Sequence, residues 1–191
     1  MTDALAWAQW WAFPWRTAHA DWGNFSHEAL YRSCHVAASA TLGISPCLAP
    51  PLSITVLRLT QVSEQTLVRA LALVDHISHS TAASFLPEGE QLWCRRFSKA
   101  LPPNTLPLDD DAALQLLRLW VEPAIWQRLR LRFARQRVLE LEKNERFFQD
   151  TRSRLDTLWQ AVVWRITTLP GSDAPTDSNR LDTNDVMPPN T

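Results

Sequence analysis

Residues 109–148 read DDDAALQLLRLWVEPAIWQRLRLRFARQRVLELEKNERFF and combine an acidic start, an apolar run, a proline and a series of arginines. The three aspartates at 109–111 stand directly before the apolar run AALQLLRLWV. An aspartate at a helix N-cap accepts hydrogen bonds from free backbone N–H groups, and its charge suits the positive end of the helix dipole. The sequence therefore predicts a buried helix that begins near Ala112 and is stopped by Pro123.

A second helix is predicted from about Ala124, because proline restricts the residue before it and suits the first helical turn. Four apolar residues hold one face of this helix: Ile125, Trp126, Leu129 and Phe133. The next apolar residue of the stripe, Val138, follows Phe133 by five positions. This step rotates the apolar stripe around the helix, so we expect a break between Phe133 and Arg137. Charged and apolar residues alternate strictly over 128–133, which also suits an amphipathic strand. The flanking helix formers favour the helix.

The same region is strongly basic. Between positions 118 and 137 there are six arginines and one acidic residue, Glu122, which gives a local net charge of +5. On a continuous helix Arg128, Arg132 and Arg135 share a face, and guanidinium groups suit carboxylates, phosphates or aromatic rings. The candidate partner-binding residues are Arg128, Arg130, Arg132, Arg135, Arg137 and Trp126. The alternative is a solvated helical face that is neutralised by the chain's own acidic residues at 109–111, 140 and 142.

Residues 116–142, LLRLWVEPAIWQRLRLRFARQRVLELE, resemble the C-terminal signature of the SctK/YscK/PscK family, the accessory proteins of the type III secretion sorting platform. A WCRR motif at 93–96 and a tryptophan-rich N-terminus extend the resemblance loosely over residues 1–165. The chain departs from the family pattern at Ala134, where the pattern has a proline.

The resemblance implies a non-enzymatic cytoplasmic adaptor that functions in protein transport and virulence and uses no cofactor. Its implied partners are the SctD-type inner-membrane ring protein and the SctQ-type pod subunit that carries the ATPase complex. The adaptor would lie at the cytosolic face of the inner membrane through these partners. A hypothesis from a different class is a helical nucleic-acid-binding regulator that uses the basic face of residues 128–137, and it rests on charge alone.

Composition limits the other possibilities. The chain has 191 residues, 46% of them apolar and 20% charged, and its net charge of -1 gives no general attraction to nucleic acid or membrane. Its three cysteines form no CxxC pair, which fits a reducing compartment. His76 and His79 stand three apart without the further ligands of a zinc site. With no catalytic motif either, the sequence predicts no metal, no cofactor and no enzyme.

The N-terminal residues 1–22 hold five of the ten tryptophans. Trp7, Trp10 and Trp11 stand at helical spacing, either as an exposed docking surface or as an anchor to the core, and we favour the core. A further helix is predicted over residues 27–42, with Ser26 as its N-cap and a glycine at its C-terminal end.

The remaining segments predict further helices and one possible short strand. Residues 52–59 are rich in β-branched and apolar residues and suit a short strand, but there is no second strand for it to pair with, so we discount a sheet. Ser63 suits the cap of a helix over EQTLVRALALVDHIS, and Pro87 opens another that carries Leu92, Trp93 and Phe97. After the break, a long helix is expected to continue from Val138 through Phe147 and Phe148 to about Thr168.

The sequence as a whole predicts an all-α fold of five to seven helices. We expect one compact domain over residues 1–168. The segment 169–191 is rich in Pro, Asp and Asn and contains no aromatic residue, so it is predicted to be a disordered tail.

Overall fold

The computed structural model describes residues 2–23, 35–79, 86–101, 111–143 and 152–168. Within these ranges the chain forms nine α-helices and three 3₁₀ turns and no β-strand, so the predicted all-α class is confirmed. The α-helices are α1 (Asp3–Ala12), α2 (His35–Thr41), α3 (Ile54–Gln61), α4 (Glu64–Ser78), α5 (Glu88–Ala100), α6 (Ala112–Trp120), α7 (Pro123–Leu129), α8 (Arg135–Lys143) and α9 (Arg152–Thr168). The 3₁₀ turns are Pro14–Thr17, Ala20–Trp22 and Arg130–Arg132.

Some predictions lie outside the described ranges. These are the disordered tail over 169–191, the Ser26 cap with the first part of the helix over 27–42, and the helical connection over 144–151. The described part of the chain contains more helices than the five to seven predicted. Several of these helices are short and end at local breaks that apolar periodicity does not reveal.

Helix α4 lies at the centre of the fold and packs against α5, α6 and α9. Its N-cap is Ser63, whose hydroxyl accepts a hydrogen bond from the Thr66 N–H at 3.1 Å, as the sequence predicts. The predicted apolar stripe is buried and consists of Leu67, Ala70, Leu71, Val74 and Ile77. Both the bounds and the inward face of this helix are therefore set by local sequence.

Helix α9 closes the core by packing against α3, α4 and α6. Its predicted stripe of Leu155, Leu158, Val162 and Ile166 is buried, and the helix reaches Thr168, the last residue of the described ranges. Trp159 is fully buried and stacks on Trp120 of α6 at 5.6 Å between ring centroids. The Trp120 indole N–H also donates to Asp156 at 2.7 Å, which fixes the register between α6 and α9.

Residues 54–61 form helix α3, where the sequence suggested at most an unpaired strand. The hydroxyl of Ser53 accepts from the Val56 N–H at 3.4 Å and caps the helix. Val56, Leu57 and Leu59 are buried, and α3 packs against α1 and α9. Tertiary burial of this face outweighs the β propensity of its residues.

The tryptophan-rich helix α1 is anchored in the core, as favoured from the sequence. Trp7, Trp10 and Trp11 are all buried. The Trp7 indole donates to the Pro50 carbonyl at 3.1 Å, and the Trp11 indole donates to the Cys47 carbonyl at 3.4 Å. These two bonds fasten the segment that precedes α3 along helix α1.

Helix α5 packs against α4 through Glu90 and Cys94. Leu92 is 46% exposed, while Glu90 and Cys94 face α4 and are buried. Arg69 of α4 donates to the Glu90 carboxylate through its Nε at 2.8 Å, and the Cys94 thiol donates to the Leu73 carbonyl at 3.7 Å. The inward face of α5 therefore includes an ion pair and a thiol hydrogen bond that apolar periodicity could not indicate.

Core packing predicts a large difference between two leucines of equal size. Leu114 is fully buried in α6, whereas Leu139 on α8 is 41% exposed. Leu114→Ala is expected to lower the free energy of unfolding by about 3 kcal/mol, because it removes buried methyl groups and leaves a cavity. Leu139→Ala should change it by less than about 0.5 kcal/mol. Urea unfolding measures both variants, and equal losses would contradict this assignment of the core.

The buried thiol of Cys94 predicts a loss of stability in alkali. Burial, reinforced by the Glu90 carboxylate, raises the pKa of this thiol from 9.0 to about 12. Above about pH 9 the unfolded thiol ionises while the folded one keeps its proton, so stability falls as the pH rises, by up to about 1.4 kcal/mol per unit. Urea unfolding at increasing alkaline pH should show a shallower decline for Cys94→Ala than for the wild type. Identical slopes would contradict the burial of this thiol.

Candidate partner-binding segment

The arginine-rich segment of residues 118–137 is divided among three helices and a turn. Pro123 occupies the first turn of α7, as predicted, and α7 ends at Leu129. The 3₁₀ turn Arg130–Arg132 follows, and Phe133 has an extended backbone at φ −113° and ψ 156°. Helix α8 then begins at Arg135, so the predicted break is confirmed and the strand alternative is wrong.

The apolar partners of the arginines point inward. Leu129, Leu131 and Phe133 are buried. Leu131 belongs to a small second core with Trp15, Leu42 and Ile44. The backbone carbonyl of Leu131 also accepts from the His19 N–H at 2.7 Å. The segment is therefore a site onto which the N-terminal part of the chain folds.

The alternating arginines spread in different directions rather than sharing a face. Residues in a 3₁₀ turn advance by about 120° each, so positions two apart point to different sides. Arg128 lies in α7, Arg132 in the turn and Arg135 in α8, and they contact different segments. The common face predicted for these three arginines is therefore wrong, because it assumed one continuous α-helix.

Arg128 is the most deeply buried of these arginines, with 5% of its surface exposed. Its Nε donates to the Trp11 carbonyl at 3.1 Å, and its Nη1 donates to the Ala124 carbonyl at 3.1 Å. The guanidinium carbon lies 3.6 Å from the centroid of the Trp11 ring, a close cation–π contact. Arg128 thus holds the C-terminal end of α1 against α7.

Arg130 holds the end of α2. Its Nη2 donates to the carbonyls of Leu42 at 2.9 Å and Gly43 at 3.2 Å, just past the last residue of that helix. Its Nη1 donates to both oxygens of the Glu142 carboxylate at 2.9 Å. Gly43 has a φ of +64°, and a Cβ at that position would lie 2.7 Å from the Arg130 Nη2. The positive φ of the turn favours glycine here, and a larger residue would also displace the end of the Arg130 side chain.

Arg132 holds the end of α3 in the same way. Its Nη1 donates to the Thr60 carbonyl and its Nη2 to the Val62 carbonyl, the latter at 2.7 Å. Burial lowers the pKa of Arg132 and of Arg128, which reflects the loss of hydration around each charged group.

Arg128, Arg130 and Arg132 therefore make one kind of contact, which we call the arginine clamp. Each donates to carbonyl groups at the C-terminal end of a different helix, namely α1, α2 and α3. The last carbonyls of a helix lack intrahelical partners and carry partial negative charge, so a guanidinium both satisfies and stabilises them. Outside the clamp, Arg118 donates to the Leu141 carbonyl near the end of α8 at 3.1 Å.

The remaining candidate residues also have contacts within the chain. Arg137 binds Asp111 through Nε at 2.6 Å and Nη2 at 2.8 Å. The buried Trp126 indole donates to Glu142 at 2.8 Å. Arg135 is exposed, and its guanidinium lies 5.6 Å from the Trp22 ring centroid. Among the six candidate residues, Arg135 is therefore the one whose charged group remains on the surface without a hydrogen bond or ion pair within the described ranges.

Part of the arginine charge is neutralised by acidic residues of the chain, as the alternative interpretation expected. Asp111 and Glu142 pair with Arg137 and Arg130, whereas Glu140 accepts a hydrogen bond from Gln136 instead. Asp111 stands at the N-terminus of α6, but its side chain makes no capping hydrogen bond. The predicted cap is wrong because the carboxylate turns to the guanidinium of Arg137. Residues 109 and 110 lie outside the described ranges.

The surface beside the clamp contains an open cleft of about 260 Å³ lined by Thr17, Ala18, His19, Glu64 and Arg132. Because Glu64 and Arg132 carry opposite charges, the cleft favours neither anionic nor cationic ligands. In the described part of the chain, no three His, Cys, Asp or Glu side chains are grouped so as to hold a metal ion. None of the helices described here is long and apolar enough to cross a membrane.

The fold and contacts define an all-α protein in which a basic segment binds the ends of short helices from the N-terminal part of the chain. No protein-family model, no curated protein and no solved structure matches this chain.

The clamp predicts a large loss of stability for one arginine and a small loss for another. Arg128→Ala should lower the free energy of unfolding by about 3 kcal/mol, because the Trp11 and Ala124 carbonyls lose their donor and the Trp11 ring loses its covering group. Arg135→Ala should cost less than about 1 kcal/mol, since this side chain is exposed.

Arg128→Lys should recover only part of the loss, because an ammonium group cannot stack flat on the Trp11 ring while donating in two fixed directions. Urea unfolding of the three variants measures these differences. A folded Arg128→Ala variant as stable as the wild type would contradict the clamp.

Proposed function

We propose that this protein is a non-enzymatic adaptor of the type III secretion sorting platform. It joins the cytoplasmic domain of an SctD-type inner-membrane ring protein to an SctQ-type pod subunit, and it lies at the cytosolic face of the inner membrane through these partners. The observation that carries the proposal is the sequence of residues 116–142, which resembles the C-terminal signature of the SctK/YscK/PscK family.

The contacts of this motif support an architectural role. Arg128, Arg130 and Arg132 donate to carbonyls of their own chain, and Leu129 and Leu131 fill the two cores. A motif of this kind determines how helices are arranged, which suits a protein that positions two partners relative to one another. The partner contacts are then expected on surfaces outside the clamp, and Arg135 is the member of the arginine series that still suits such a contact.

The nucleic-acid hypothesis is less well supported by the geometry. Phosphate binding requires guanidinium groups that face solvent, and it adds affinity in proportion to the number of phosphates contacted. The three clamp arginines would have to leave their carbonyl partners to make such contacts. The arrangement of the basic segment therefore favours the adaptor.

The adaptor proposal predicts that immobilised pod subunit and immobilised ring-protein cytoplasmic domain each retain the purified protein. Mixed in solution, the three proteins should form one complex on size-exclusion chromatography, because an adaptor binds both partners at once. Beads without bait are the control. Failure of both partners to retain the folded protein would refute the assignment.

The same preparation should give no mobility shift with duplex or single-stranded DNA at about 50 mM salt, where phosphate contacts are strong. A shift at micromolar protein that disappears at higher salt would favour the nucleic-acid hypothesis instead.

A further inference from the structure

The outer face of α5 carries a group of cations that form no ion pair within the described residues. Leu92, Arg95, Arg96 and Lys99 follow one another at spacings of three, one and three, and all four are exposed. Because residues three and four apart share a helical face, they form one surface, which we call the α5 patch. Arg95 donates to Gln91 at 3.5 Å. Within the described ranges, no carboxylate forms an ion pair with any of its three cations.

The opposite face of α5 holds the helix in place. Glu90 and Cys94 bind Arg69 and Leu73 of α4, as described above. Trp93 stacks on Phe97 at 5.2 Å between centroids, and the guanidinium of Arg165 from α9 lies 5.2 Å from the Trp93 ring centroid. The α5 patch is therefore presented by a helix fixed to both α4 and α9, which lowers the ordering cost of binding.

The charge of the α5 patch differs from that of the arginine clamp in one respect. The clamp arginines donate to backbone carbonyls or pair with carboxylates of their own chain, whereas the three patch cations face solvent. In a protein with a net charge of -1, three exposed cations offset on this face only by Glu88, as far as the described residues extend, leave a local positive excess that is complementary to an acidic surface.

The composition of the α5 patch favours a protein partner over a uniform polyanion. Leu92, 46% exposed, lies among the cations and suits an apolar contact. Glu88 is exposed on the same helical face, one turn before Leu92, and repels phosphates. A protein segment can place carboxylates opposite the cations, an apolar side chain against Leu92 and a neutral or basic residue beside Glu88.

We propose that the α5 patch is a docking surface for an acidic amphipathic helix of a partner protein. The partner helix places an apolar residue on Leu92 and its carboxylates against Arg95, Arg96 and Lys99. The two arginines hold carboxylates through paired hydrogen bonds, and the lysine adds a point charge. This docking surface adds a partner-binding site to the proposed function. It depends on that function only for the identity of the partner.

The surface is tested with defined probes. Two fluorescein-labelled helical peptides share one leucine stripe, and the residues flanking that stripe are glutamates in one peptide and lysines in the other. Fluorescence anisotropy measures their binding to the full-length wild type and to the triple variant Arg95→Glu, Arg96→Glu, Lys99→Glu. The matched control makes the same charge change at exposed cations elsewhere, namely Arg58→Glu, Lys143→Glu and Arg152→Glu.

The glutamate peptide is expected to bind the wild type and the control variant alike. The triple variant should bind it about tenfold or more weakly, because three attractions become repulsions, and should prefer the lysine peptide. Leu92→Ala should also weaken binding, whereas Leu139→Ala, at a similar exposure, should not. Thermal midpoints of all variants close to that of the wild type establish that they are folded.

Equal binding of the glutamate peptide by the wild type and the triple variant, or no binding at all, would overturn the proposal. So would patch-dependent binding to phosphatidylcholine vesicles containing phosphatidylglycerol without binding to the peptide, since this would make the surface a lipid site. The outcome is separable from the adaptor assignment. Retention of the triple variant by both secretion partners as strongly as the wild type leaves the adaptor and removes the patch. Peptide binding without retention by either partner supports the α5 patch and refutes the adaptor assignment.

Discussion

The hydrogen bonds between guanidinium groups and helix C-termini are the interaction on which the N-terminal part of this fold depends. Helices α1 and α3 contain 10 and 8 residues, lengths at which an isolated helix is not stable in water. The carbonyls at the ends of α1, α2 and α3 need donors, and the arginine clamp supplies them from residues 70 to 117 positions away. The clamp thereby ties these helices into one tertiary structure.

The clamp also explains why arginine occupies these positions. A guanidinium keeps its charge when it is partly buried, has several donors in one plane and can cover an aromatic ring at the same time. Arg128 does all of this between Trp11 and Ala124. Burying a charge carries a desolvation cost, which the hydrogen bonds and the partial negative charge of the helix ends offset.

The distribution of charge follows from this use of the arginines. From sequence, the local net charge of +5 in residues 118–137 predicts a binding surface. In the structure, however, many of these arginines donate to backbone carbonyls or pair with Asp111 and Glu142. The α5 patch has a smaller local charge but no such internal partner in the described structure. Availability for a partner therefore depends on where each side chain lies, and not on the local density of charge.

The sequence by itself determined the features that depend on neighbouring residues: the Ser63 cap and inward stripe of α4, the stop at Pro123, the break after Phe133 and the burial of the tryptophans in α1. Tertiary structure decided the helix at Ile54–Gln61, the pairing of Asp111 with Arg137, the directions of the clamp arginines and the exposure of Leu92. Each of these depends on groups distant in the chain, whose approach creates the burial or supplies the hydrogen-bond partner. Local pattern contains no information about such partners, because it reports only which residues share a face.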